Sequence, residues 1–182
     1  MTSHIETVKK LVLTVSDDSL ERFTTLLQSG ILFYSEQGET LGAFLDSLPG
    51  FTNDYIINRV QTIFLDGNAI DDLQTPLTKP QSVLAISAAM PGLAGAIFRK
   101  NSLHAALRSQ SQKKEENSSN EKEDIIVTLK LFNMIAVERG ILLLQSGVSI
   151  LSDSIHNFLH DRPSLFNHIH GVQIEDETIY PD

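Results

Sequence analysis

His156 and His160 stand four positions apart, so on a helix their imidazoles leave from one side at a spacing that can hold a divalent metal. His168, His170, Asp153 and Asp161 follow or flank them closely enough to offer further ligands. The competing reading is the polar flank of an amphipathic helix, because a His-x-x-x-His spacing without a glutamate base or a placed third ligand is common. The metal candidates are therefore His156, His160 and His168, with a divalent ion as the only cofactor they suggest. Convergent histidines would favour a metal site, and scattered solvent-facing ones the polar flank.

Charge supplies a second candidate. The chain carries 14 Lys and Arg against 23 Asp and Glu, a formal net charge of −9. That balance argues against unspecific attraction to nucleic acid or anionic membranes. Between Leu73 and Lys114, however, there is no acidic residue, while Lys79, Arg99, Lys100, Arg108, Lys113 and Lys114 are basic. Such a segment suits an acidic partner or an anionic ligand, with Met90 beside it and Gly92 and Gly95 allowing close backbone approach. The plainer reading is a solvated surface that neutralises acidic neighbours.

Other chemistries lack an anchor. Without cysteine there are no disulfides, thiolate zinc sites or thiol nucleophiles. No serine sits in a Gly-x-Ser-x-Gly turn, and residues 92–95 lack the Gly-Lys-Ser/Thr ending of a phosphate loop. Asp17-Asp18 and Asp71-Asp72 are adjacent pairs, better explained by a helix cap and a turn. The first ten residues lack a basic stretch followed by an apolar core, so a cytoplasmic location is expected. The longest uncharged apolar run, residues 83–98, is shorter than the roughly 20 residues of a membrane-spanning helix.

The elements that must position these groups read as mixed strands and helices. Residues 10–15, 31–34, 60–65, 83–87, 125–132 and 148–151 are rich in branched or aromatic residues and are expected as strands, with a last one at 172–174. Leu20, Phe23, Leu26 and Leu27 recur at helical spacing, as do Leu41, Phe44, Leu45 and Leu48, and Ile155, Phe158 and Leu159. Asp66-Gly67-Asn68 marks a hairpin turn. Residues 54–59 fit a helical turn or an extended run, residues 134–147 a helix or a hairpin, and residues 102–108 a short helix. The stretch 109–123 is almost wholly Gln, Ser, Asn, Lys and Glu, the composition of a solvated linker. The expected organisation is thus a domain over 1–109, a linker over 110–123, and a smaller α+β unit over 124–182 packed on the first.

Leu26-Leu-Gln-Ser-Gly30 recurs unchanged as Leu143-Leu-Gln-Ser-Gly147, and each copy is followed by an expected strand and a short helix containing Phe-Leu. A partial tandem duplication would explain this, and so would chance in a chain rich in leucine and serine.

Strand, strand, helix, then two strands is the order of the β-grasp fold. Gly30-Ile-Leu-Phe-Tyr34, Thr40-Leu-Gly-Ala-Phe-Leu45, Phe64-Leu-Asp-Gly67 and Val83-Leu-Ala-Ile86 resemble the ubiquitin-like sulfur carriers of the molybdopterin and thiamin pathways. Val127-Thr-Leu-Lys-Leu-Phe132 with Glu138-Arg-Gly140 resembles the opening strand and turn of those carriers. The resemblance implies an α+β, β-grasp-like mixed sheet with packed helices. Those carriers end in a Gly-Gly whose carboxylate is activated, whereas this sequence ends Tyr180-Pro-Asp182, which points to the scaffold without the carrier function. Residues 87–95 also resemble an uncharacterised bacterial protein group, which implies no activity. The expectation is a non-catalytic module that binds a protein partner through Met90, Gly92, Gly95, Arg99, Lys100 and Arg108. The alternative is a small metal-binding protein or enzyme using the C-terminal histidines.

Overall fold

The computed structural model describes residues 6–90, 92–103 and 123–179. Its centre is a five-stranded mixed sheet in the order β2-β6-β5-β3-β4. The strands are β2 (Ile31–Glu36), β3 (Thr62–Leu65), β4 (Asn68–Ala69), β5 (Gln81–Ser87) and β6 (Asp124–Phe132). β5 and β6 run parallel, from Gln81 opposite Ile126 to Ser87 opposite Phe132. β2 flanks β6 antiparallel, and β3 flanks β5 antiparallel.

The pattern of β6 explains why it occupies the middle. Ile125, Val127, Leu129 and Leu131 are buried, and the residues between them are half-buried. Successive side chains in a strand point to opposite faces, so one face enters the core while the other stays partly covered. The buried face meets Leu27, Ile31, Phe44, Ile63, Leu84 and Ile86 in one continuous cluster.

Helices close that face. Thr40 and Thr52 cap α2 (Leu41–Asp46) and α3 (Asn53–Arg59), each side-chain oxygen accepting from the backbone N–H three residues on. α5 (Met134–Ser146) buries Ile135, Ala136 and Leu143. A side chain at Gly140 would stand 2.9 Å from Leu27 and 3.0 Å from Thr24, so glycine there permits the close approach of α5 to the first helical segment. That segment starts as α1 (Leu20–Phe23) and tightens into a 3-10 turn over Thr24–Gln28. The remaining helices are α4 (Gly92–Phe98) and α6 (Ser152–His160).

A second, smaller cluster of Phe23, Leu26, Phe158 and Leu165 joins α1, α6 and the 3-10 turn Pro163–His168. Beside it, β1 (Glu6–Val15) and β7 (Ile169–Ile179) form a separate antiparallel ribbon, with an irregularity at Thr14/Val15. Among the described residues no helix is long and apolar enough to cross a membrane.

The chain is therefore α+β with a mixed sheet, as its patterning predicts, but its organisation needs a correction. β6 comes from beyond the expected linker and lies between β2 and β5, and β1 pairs with β7. The stretches 1–109 and 124–182 thus share a sheet, a ribbon and a core, so the linker does not divide one core from another. Residues 54–59 and 134–146 are helical. Residues 148–151 make only an isolated bridge, Leu32 to Ser149. Both identical pentapeptides end on a glycine at positive φ, Gly30 at 109° and Gly147 at 87°, where an L side chain would be strained. The expected helix at 102–108 lies mostly outside the described residues.

Because β6 supplies the central strand, residues 1–109 alone should show no cooperative thermal transition by circular dichroism, whereas the full chain should unfold cooperatively. A cooperative transition in the fragment would show that it holds a core of its own.

Candidate functional site

At the carboxyl end of β5 the chain turns through Met90 into α4, which returns over the outer face of the sheet. Phe98 is the anchor: its ring centre lies 5.2 Å from that of Phe64 on β3. Gly95 is buried against the Met90 carbonyl so closely that a Cβ would collide with it. Its role is thus to seat α4 on the preceding turn. Gly92, at φ 70°, has open space where a side chain would be and permits the turn into the helix.

The basic residues separate once placed. Lys100 is half-buried, its Nζ 3.4 Å from the Ile56 carbonyl and 3.5 Å from the Ile57 carbonyl near the end of α3, where carbonyls lack helical partners. Its backbone N–H donates to the Gln61 carbonyl at 2.6 Å. Burial pushes its ammonium below the ordinary lysine range, and the Asp71 carboxylate opposes that shift. Lys100 therefore ties α4 to α3. Arg99 is exposed, and Arg108 lies outside the described residues. Lys79 reaches Asp66 at 2.8 Å, and the other Asp66 oxygen accepts from the Val83 N–H at 2.8 Å, which fixes the turn between β3 and β4.

What α4 does present to solvent is apolar. On it Leu93 is 74% exposed, with Ala94 and Ala96 also exposed, and beyond its end Leu103 is 98% exposed. Charge patterning marked this segment, yet its exposed leucines are the more prominent feature. The available sequence signal was the run Leu93-Ala-Gly-Ala, too short to show a helical face.

The histidines divide as well. His156 and His160 are exposed on one side of α6, their rings stacked with centres 6.0 Å apart and planes 24° apart. His160 Nδ1 lies 3.3 Å from an Asp161 carboxylate oxygen. His168 corrects the expected third ligand: half-buried, it places its Nδ1 2.8 Å from the hydroxyl of the buried Ser19. Among the described residues, no three histidine or carboxylate groups converge as a metal site.

A polar cluster that sequence reasoning missed joins α3 to α5. The Tyr55 hydroxyl donates to Glu138 at 2.7 Å, and the Arg59 guanidinium donates to both carboxylate oxygens of Glu138. Arg139 stacks over the Tyr55 ring, 3.8 Å from its centre. The bond from Arg59 holds the Glu138 carboxyl below its ordinary value near 4.5, burial opposes this, and the Tyr55 hydroxyl assists. Burial, with the carboxylate beside it, raises the Tyr55 hydroxyl well above its ordinary value of 10.0. Arg59 and Glu138 are 79 positions apart, so no local spacing signals the pair.

At the opposite end of the sheet, Tyr34, Glu36, Glu39 and Asp124 line a shallow groove. Its three carboxylates make it unsuitable for an anion. Compared with protein-family models, curated proteins and solved structures, the chain matches none.

Two outcomes follow from this geometry. Lys100→Met should lower stability by about 1 kcal/mol through loss of the hydrogen bonds to α3, seen as a lower urea midpoint with unchanged slope. For Glu138, a folded-state pKa below the unfolded one contributes stability that is present above about pH 4.5 and lost as pH falls through the folded value. Glu138→Gln should therefore make stability less steeply dependent on pH in the acid range, as measured by urea denaturation between pH 3 and 6.

Proposed function

We propose that the chain is a non-catalytic protein-interaction module on a β-grasp-like scaffold, and that Leu93 on α4 with Arg99 and Leu103 just beyond it belong to its contact surface. With β6 counted first, the central elements run strand β6, strand β2, helix α2, then strands β3 and β5. That is the strand, strand, helix, strand, strand order of the β-grasp fold. β6 is also the segment whose residues resemble the opening strand of the sulfur carriers, so the resemblance and the strand order support the same reading. The scaffold would then be permuted, its first strand supplied from late in the chain.

The carrier chemistry does not travel with the scaffold. A carrier presents a terminal glycine carboxylate, whereas Gly92 and Gly95 lie within α4 and the backbone continues beyond them. A scaffold does not by itself assign an activity.

The observation that carries the interaction reading is the exposure of Leu93 and Leu103 in a segment without acidic residues. Large apolar side chains this exposed, in a segment without acidic residues, are what an apolar contact with a partner would cover. Arg99, exposed between them, adds a residue type enriched at interfaces. Lys100 is not part of this surface, because replacing it would disturb the α3 contact rather than a partner.

The test compares proteins captured by the wild-type chain and by a Leu93→Asp/Leu103→Asp variant, with Leu151→Asp as a control at an exposed leucine elsewhere. A stoichiometric partner retained by wild type and control but lost with the double variant is the expected result. Equal capture by all three, or capture of nothing by the wild type, would overturn the reading.

A further inference from the structure

We propose that His156 and His160 form a two-point chelate for a borderline divalent cation such as Zn2+ on the solvent face of α6. This site is independent of the α4 surface. The helix fixes the spacing, since residues four apart stand one above the other on one face. The ring centres stand 6.0 Å apart and both rings are exposed.

A zinc ion lies about 2 Å from each imidazole nitrogen. One ion can therefore bridge the two side chains once each ring turns about its side-chain torsions so that one nitrogen of each points at it, a turn that the exposure of both rings allows. The backbone need not move. Phe158, between the two histidines in sequence, is buried against Phe23 and beneath Arg162, which anchors α6 with its histidine face outward.

His160 also has the outer partner that metal-bound histidines commonly use. Its Nδ1 faces the Asp161 carboxylate at 3.3 Å, an arrangement that holds the ring and leaves Nε2 available as the ligand atom. The ligand type sets the selectivity: imidazole suits zinc, copper and nickel, whereas magnesium and calcium prefer oxygen donors. His168 is engaged with Ser19, so two protein ligands hold the ion and water fills its remaining positions.

The test is isothermal titration of the full chain with Zn2+ and, separately, Mg2+, comparing wild type with His156→Ala, His160→Ala and the double variant. Alanine is the best helix former, so α6 should survive each change, and far-UV circular dichroism checks that it does. The double variant also accounts for any binding by histidines elsewhere in the chain. The expected result is a Zn2+ site that either single substitution weakens by about 10²-fold, the scale of losing one of two linked contacts. His170→Ala, at an exposed histidine outside the pair, should leave the site intact, and Mg2+ should give no comparable binding. Equal Zn2+ affinity in the wild type and the double variant would overturn the proposal, as would no Zn2+ binding by the wild type.

Discussion

The parallel pairing of β5 with β6 is the constraint on which the rest of the structure depends. Parallel neighbours cannot be joined by a tight turn, so the chain must travel back along the sheet before the second strand can begin. Between Ser87 and Asp124, α4 is the described helix of that return. Seating α4 on the outer face covers Phe64 and exposes Leu93. The candidate contact surface thus arises from the same crossover that allows β6 to enter the sheet.

Once β6 is in place, the early and late parts of the chain are tied at several points of different character. Ile31, Leu84 and Leu129 meet in the apolar core. Tyr55 and Arg59 of α3 hold Glu138 of α5 through hydrogen bonds and charge. Ser19 meets His168 beside the smaller cluster. Of these groups Tyr55 and Ser19 are buried, and a buried polar group left without its partner costs about 1–3 kcal/mol. The core supplies most of the stabilisation, and the polar ties define how α3 and α5 sit against one another.

Much of this was legible locally. The alternation of Ile125, Val127, Leu129 and Leu131 marks a strand, Thr40 marks a helix start, and Asp66-Gly67 marks a turn, because each depends on neighbours a few residues away. The neighbours of β6 were not legible, since alternation tells which face a strand buries but not which strands flank it. The linker composition then suggested a boundary between domains, whereas β6 beyond it enters the same sheet as β2 and β5. Lys100 misled for a related reason: a lysine in a basic run looks like surface until the Ile56 and Ile57 carbonyls are brought beside it. The spacing of His156 and His160 did place them on one helical face, whereas His168 depended on the distant Ser19.

The central claim is that β6 is the inner strand of a single cooperative sheet, and native-state hydrogen exchange of the full chain tests it most directly. Amides in the most stable elements exchange only through global unfolding, while those in peripheral elements exchange through local opening. The account predicts that the core amides of β6 and β5 exchange together, with the free energy of global unfolding measured by denaturant. Fast exchange of β6 through a separate, lower-energy opening that leaves β5 protected would contradict it.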